Sequence, residues 1–100
     1  MHRYVKMSEV VATLHIDAEF VRQLEEEDLV HIKQSSEGEP VLSSDDFDRV
    51  RLARLLISEL DVNLPGVEVV MHMRDSMLAA QRQFHEILDA VIAELRQRRD

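Results

Sequence analysis

The sequence has 100 residues, 45% of them hydrophobic, which suffices for one small globular domain with or without an extension and excludes a large enzyme scaffold. A total of 20 Asp and Glu against 12 Lys and Arg gives a formal net charge of -8, which disfavours non-specific binding to nucleic acid or acidic membranes. The chain has no cysteine and no apolar run long enough for a secretion signal or a membrane span, so we expect a cytoplasmic protein.

Two short helices are predicted at the start of the chain, in a sequence interrupted by only two glycines and two prolines. The first has apolar residues at helical spacing and ends near His15. A side-chain oxygen of Asp17 is expected to cap the start of the second helix, which ends in the acidic run 25–28. Carboxylates at a helix C-terminus oppose the macrodipole, so this run does not stabilise the helix. We therefore expect the acidic residues to have another role. The residues predicted to face inward are Met7, Val10, Val11, Leu14, Phe20, Val21 and Leu24.

A small hairpin and a third helix are predicted next. Residues 29–33 alternate weakly, the turn lies around Gly38, and an apolar stretch resumes at Pro40. Ser43 and Asp46 have the spacing of a capping box at the start of the third helix. The residues predicted on the inner face of this helix are Phe47, Val50, Ala53, Ile57 and Leu60.

A long fourth helix is predicted from Leu64 to Arg99, with Asn63 as its cap and Pro65 in its first turn, where the missing N–H costs least. It would be about 54 Å long, which exceeds the expected width of a head formed by residues 1–62. The remainder, residues 63–100, therefore reads as a dimerisation helix rather than the core helix of a monomer. The predicted dimer contacts are Met77, Phe84, Leu88, Val91 and Leu95, in a near-heptad series with Val70, Met73 and Gln81.

This order of elements indicates a mostly α fold: a winged helix-turn-helix head with a small β-hairpin wing, followed by a long C-terminal dimerisation helix. Such heads usually bind DNA through the outer face of the second helix. Here only Arg22 and Gln23 on that face could read a base edge, and Glu37 and Glu39 accompany Lys33 in the wing. The carboxylates of the second helix and of the wing would therefore lie against the DNA phosphates, and this repulsion disfavours DNA binding.

The acidic residues lie mainly in the first part of the chain. Residues 1–42 carry four basic and nine acidic side chains, whereas residues 76–100 carry four of each. A basic stripe of Arg49, Arg51 and Arg54 on the third helix is possible, but interspersed acidic residues favour pairing within the helix.

The acidic surface of the second helix has two interpretations. It is either a solvated face that keeps the protein soluble or a surface for a basic protein partner. In the second interpretation the carboxylates supply a complementary field, and the arginine and glutamine supply directed hydrogen bonds. The candidate partner-binding residues are Glu19, Arg22, Gln23, Glu26, Glu27 and Asp28.

No constellation in the sequence favours catalysis or metal binding. The five histidines are scattered, no two are four residues apart on one helix, and no cysteine accompanies them. Asp45, Asp46 and Asp48 lack the Gly and the closing Glu of a calcium loop and fit better as favourable negative charge at a helix start. We therefore expect a non-enzymatic protein without a metal or a cofactor.

Two segments carry a family resemblance that spans nearly the whole chain. They are the opening YVKMSEVVATLHIDAEFVRQLEEEDLV and the junction ARLLISELDVNLPGVEVV between the third and fourth helices. With them the chain resembles the chaperone-modulator proteins of the CbpM type, which are related in architecture to MerR-type transcription regulators. The latter tend to have an Arg-Tyr pair on the recognition helix and a basic wing, where this chain reads VRQLEEEDLV and KQSSEGEPVL.

The resemblance implies a partner and a role. Proteins of this type bind the J-domain of a DnaJ-like co-chaperone, CbpA, and restrain its action on the Hsp70 chaperone. J-domains present a basic helix to Hsp70, which would suit an acidic head. The alternative is a MerR-type DNA-binding transcriptional regulator that uses Arg22, Lys33 and nearby arginines despite the overall charge.

Overall fold

The computed structural model describes residues 3–99 and consists of four helices and a small antiparallel sheet. The predicted mostly helical architecture, with a hairpin before the third helix and a long helix at the end, is confirmed. The elements are β1 (Tyr4–Lys6), α1 (Met7–Leu14), α2 (Ala18–Glu26), β2 (Lys33–Gln34), β3 (Pro40–Ser43), α3 (Ser44–Leu60) and α4 (Leu64–Arg98).

The sheet has a third strand that the sequence did not predict. β1 pairs antiparallel with β3, with Val5 opposite Leu42, so the strand order is β1-β3-β2 and β3 is central. Three residues are too few for a recognisable alternation, and the partner strand lies far along the chain. The central position of β3 explains why Val41 and Leu42 are buried although the hairpin is small.

The helix-turn-helix pair is held by an apolar core. Val10 of α1 and Val21 and Leu24 of α2 are fully buried, as predicted. His15 ends α1 in the left-handed region, with φ of 55°. Asp17 occupies the N-cap position of α2, but its side chain accepts no capping hydrogen bond, so the predicted side-chain cap is wrong. The first turn of α2 instead uses the main chain of Asp17, whose carbonyl accepts the N–H of the residue three positions on.

The third helix begins with the predicted cap but buries a different set of residues. Ser43 Oγ accepts the N–H of Asp46 at 3.0 Å and donates to its Oδ2 at 2.9 Å. The N–H of His31 lies 3.4 Å from the other carboxylate oxygen of Asp46, which ties the helix start to the segment after α2. Val50 and Ala53 are buried as predicted, and the series continues through Leu56. The predicted inner position of Leu60 is wrong, because this residue ends the helix and is 62% exposed.

The long helix starts at a tight junction after α3. Asn63 Oδ1 accepts the N–H of Gly66 at 2.9 Å, which confirms Asn63 as the cap. A Cβ at Gly66 would lie 2.6 Å from Val62 Cγ1 and 3.2 Å from Asn63 Oδ1, so the junction favours glycine and a larger residue would displace its neighbours. Val67 and Met71 are the buried residues of α4.

The contacts within the chain define two units, Met1–Glu68 and Val69–Asp100. The first contains the sheet, α1, α2 and α3, and the second consists of the greater part of α4. No helix within residues 3–99 has both the length and the apolar character that crossing a membrane requires.

Candidate functional site

The six candidate partner-binding residues lie together at the surface of the first unit. Four are on α2 with helical spacing, opposite the buried Val21 and Leu24, and two follow in the turn after the helix. All six are exposed. We call this surface the α2 face; it comprises Glu19, Arg22, Gln23, Glu26, Glu27 and Asp28.

The side chains of the α2 face are not used to hold the fold together. None of the six side chains has a hydrogen-bond or ion-pair partner in the part of the chain that the structure describes. Four carboxylates and one guanidinium give the face a net charge of -3. Its charges are therefore available to a second molecule, although their role in binding remains a prediction.

Glu25, the first residue of the acidic run, has a structural role that the sequence did not reveal. Its Oε2 accepts the N–H of Ile32 at 2.8 Å, and Glu25 is half-buried. Asp28 adopts φ of 59°, and the Leu29 N–H returns to the carbonyl of Leu24 at 2.9 Å. Glu25 thus fastens the chain reversal after α2, whereas the three acidic residues after it face solvent.

Lys33 in the wing formed by β2 and β3, and Lys6 in the neighbouring strand β1, both interact with nearby side chains. The Lys33 Nζ lies 5.6 Å from the centre of the Tyr4 ring, in a cation–π arrangement. The Lys6 Nζ of β1 is 3.6 Å from Glu39 Oε2. Glu37 is exposed at the turn. The wing therefore presents carboxylates beside its few cations, as the sequence predicted.

The arginines of α3 do not form a continuous basic stripe. Arg49 Nε donates to the carbonyl of Leu29 at 2.6 Å, a structural bond that sequence reasoning missed because its partner is a main-chain atom of a distant loop. Arg51 pairs with Asp48 at 3.0 Å within the helix, as predicted for this series. Arg54 is half-buried and lines a groove between the α1–α2 turn and α3.

The second candidate surface is an apolar stripe on α4 within the second unit. All five predicted dimer contacts are exposed, from 42% for Leu88 to 62% for Phe84. Leu78, Ile87 and Ile92 are also exposed and widen the stripe beyond the predicted heptad positions. We call it the α4 stripe; its predicted members are Met77, Phe84, Leu88, Val91 and Leu95.

The remaining side chains do not form a recognisable metal centre. Within residues 3–99 no three or more His, Asp or Glu side chains lie close enough to share a metal ion. The two surfaces described above, one charged and one apolar, are candidate functional features of the described residues.

The three-stranded sheet, the α1–α2 pair and the long final helix define a winged helix-turn-helix protein. A family model described as "MerR HTH family regulatory protein" matches residues 5–89, and the chain therefore belongs to the MerR helix-turn-helix family. Members of this family are regulatory proteins, in agreement with the expectation of a non-enzymatic chain. No curated protein matches the chain.

A solved structure shows the same fold. It is the crystal structure of HiNmlR, a MerR family regulator lacking the sensor domain, bound to promoter DNA. The two chains share 14% sequence identity with a TM-score of 0.60, and the match covers 95% of this chain and 77% of that one. At this identity the similarity establishes the winged helix-turn-helix fold and the long C-terminal helix.

Proposed function

We propose that this protein is a modulator, specifically an inhibitor, of a DnaJ-like co-chaperone of the CbpA type. Its head binds the J-domain through the α2 face and so regulates Hsp70 chaperone activity. Like the chaperone modulators that it resembles, it would use a MerR-type head to bind protein instead of DNA. It would act in the cytoplasm, without a cofactor.

The observation that carries this proposal is the sign of the charge on the α2 face. In a helix-turn-helix protein this helix normally enters the major groove, where each exposed carboxylate faces phosphates. Here four carboxylates surround Arg22 and Gln23, and none of them is neutralised by a partner within residues 3–99. A surface of this kind attracts a basic protein and repels nucleic acid.

The wing supports the same conclusion. A wing that binds DNA places free cations on the phosphate backbone. The Lys33 Nζ instead lies 5.6 Å from the centre of the Tyr4 ring, and Glu37 and Glu39 follow in the same hairpin. The two elements that contact DNA in winged heads are therefore both unsuited to it by charge.

The second candidate function is sequence-specific DNA binding by a MerR-type regulator. It is favoured by the family match and by the similarity to a regulator whose structure contains promoter DNA. Arg22 and Gln23 are exposed on the helix that would read the bases, and Arg22 has no partner within the described residues. The local excess of carboxylates makes this the weaker of the two candidates.

We further propose that two copies associate through the α4 stripe. Eight apolar side chains between positions 77 and 95 are exposed in the single chain, which is more contiguous apolar surface than a monomeric helix usually presents to water. A second copy would bury the stripe in a coiled-coil interface. Two heads joined in this way could hold two J-domains.

Calorimetry with the purified J-domain of the DnaJ-like co-chaperone from the same organism tests the proposal. We expect binding at low salt that weakens as the salt concentration rises, because the attraction is between exposed charges. Absence of binding at low salt would reject the proposal. A mobility-shift assay with the DNA upstream of the protein's own gene tests the alternative, and sequence-selective retardation would favour it.

A further inference from the structure

A groove in the first unit lies beside the α2 face and has not been assigned a role. It is formed by the α1–α2 turn, by Phe20 on α2 and by Arg54 and Ile57 on α3, and has a volume of about 420 Å³. Phe20 and Gln23 are three residues apart on α2 and are therefore neighbours on the helix surface. The groove thus adjoins the α2 face, and one bound molecule could reach both.

Arg54 distinguishes this groove from the rest of the head. Arg49 and Arg51, on the same helix, have partners in a carbonyl oxygen and a carboxylate. Arg54 is half-buried, and its guanidinium has neither a hydrogen bond nor an ion pair within residues 3–99. A cation that is partly withdrawn from water gains more from an incoming carboxylate than an exposed one does.

The other groove residues indicate which kind of side chain could enter the groove beside that carboxylate. Phe20 and Ile57 are half-buried, so they offer an apolar wall that is still open to solvent. Asp17 also lines the groove, but it is exposed, and no ion pair joins it to Arg54. The groove therefore suits an acidic side chain with an apolar neighbour.

We propose that this groove receives an acidic residue and an adjoining apolar residue from the same protein whose basic surface meets the α2 face. The incoming carboxylate pairs with the Arg54 guanidinium, and the apolar side chain packs on Phe20 and Ile57. This inference rests on the proposed function, because the bound protein is the J-domain. It adds a specificity element, since basic charge alone would not fill the groove.

Calorimetry with the purified J-domain tests the groove through Arg54→Met, which keeps an unbranched apolar chain in place of the methylene stem and removes the guanidinium charge. Arg51→Met is the matched control, because it removes an exposed arginine from the same helix. We expect Arg54→Met to weaken binding about tenfold. The control should stay within about twofold of the wild type.

A double-mutant cycle identifies the carboxylate on the J-domain. Each Asp and Glu of the J-domain is replaced in turn by Asn or Gln and titrated against the wild type and Arg54→Met. We expect one replacement to weaken binding to the wild type about tenfold and to have little further effect on Arg54→Met. If Arg54→Met folds poorly, Arg54→Gln, which also removes the charge, takes its place in the cycle.

The outcomes separate the groove from the proposed function. If the wild type binds the J-domain but neither Arg54→Met nor any J-domain replacement changes the affinity in the expected way, the groove is not used and the proposed function stands. If the wild type does not bind the J-domain at all, both proposals are rejected.

Discussion

Glu25 Oε2 accepts a 2.8 Å hydrogen bond from the main-chain N–H of Ile32, across the reversal that follows α2. This contact divides the acidic run into one residue that stabilises the head and three that face solvent. The acidic residues at the end of α2 thus have two separate roles, although they are consecutive in the sequence.

The first prediction concerns the stability of this reversal. Glu25→Ala removes the acceptor and leaves the partly buried Ile32 N–H without its partner, so we expect a loss of about 1–2 kcal/mol in the free energy of unfolding. Glu26→Ala, one residue on, removes an exposed carboxylate and should change stability by less than about 0.5 kcal/mol. Urea unfolding followed by circular dichroism measures both. Equal effects of the two changes would contradict the structural role of Glu25.

The second prediction concerns the junction before the long helix. Gly→Ala in a helix normally stabilises by about 0.5–1 kcal/mol, but a Cβ at Gly66 would lie 2.6 Å from Val62 Cγ1. We therefore expect Gly66→Ala to destabilise the protein by about 1 kcal/mol. Val62→Ala should relieve the clash, so the double variant should lose less stability than the sum of the two single losses. Thermal melts of all four proteins test this, and a stabilising Gly66→Ala would refute it.

The third prediction concerns the α2 face. Reversing Glu26 and Glu27 to Lys changes the net charge of the face from negative to positive without removing any side-chain hydrogen bond or ion pair within residues 3–99. J-domain binding should weaken by about tenfold or more and lose its salt dependence, while the melting temperature changes little. Reversing Glu37 and Glu39 is not a clean control, because Glu39 pairs with Lys6.

Glu86 and Asp89 on α4 provide a better control for that experiment, because neither side chain has a hydrogen-bond or ion-pair partner within residues 3–99. Reversing both to Lys makes the same change in total charge, but in the second unit and not on the α2 face. If this pair weakens J-domain binding as much as the α2 pair does, the attraction depends on total charge and not on the α2 face.

The fourth prediction concerns self-association. Leu88→Asp and Val91→Asp together place two charges in the α4 stripe and should reduce the mass measured by sedimentation equilibrium from a dimer to a monomer. Ala79→Asp and Ala93→Asp introduce the same charges on the other side of α4, at about 100° per residue, and should leave the dimer intact. A wild-type protein that sediments as a monomer would show that the stripe does not pair.

Most local features of this fold could be predicted from sequence, although the side-chain cap at Asp17 does not form, and the distant features could not. The caps at Ser43 and Asn63 use partners three residues away, so their spacing was sufficient. Periodicity found the buried Val50 and Ala53 but placed Leu60 inside, because it does not reveal where a helix leaves the core.

The same distinction applies to the candidate site. Exposure of the α2 face followed from its helical spacing opposite Val21 and Leu24. Glu25 and Arg49 form hydrogen bonds with main-chain atoms of the segment after α2. The spacing of residues in the sequence does not predict such bonds. The groove around Arg54 was likewise invisible, since it combines side chains from two helices and a turn.

The pairing of β1 with β3 constrains how the protein forms during synthesis. Tyr4 cannot find its partner until Ser43 has left the ribosome, because the first strand of the chain closes against the last strand of the sheet. Both helices of the helix-turn-helix pair are synthesised within that interval. The head therefore completes its folding late, when β1 pairs with the distant β3. A fusion placed directly before Tyr4 would hinder this pairing.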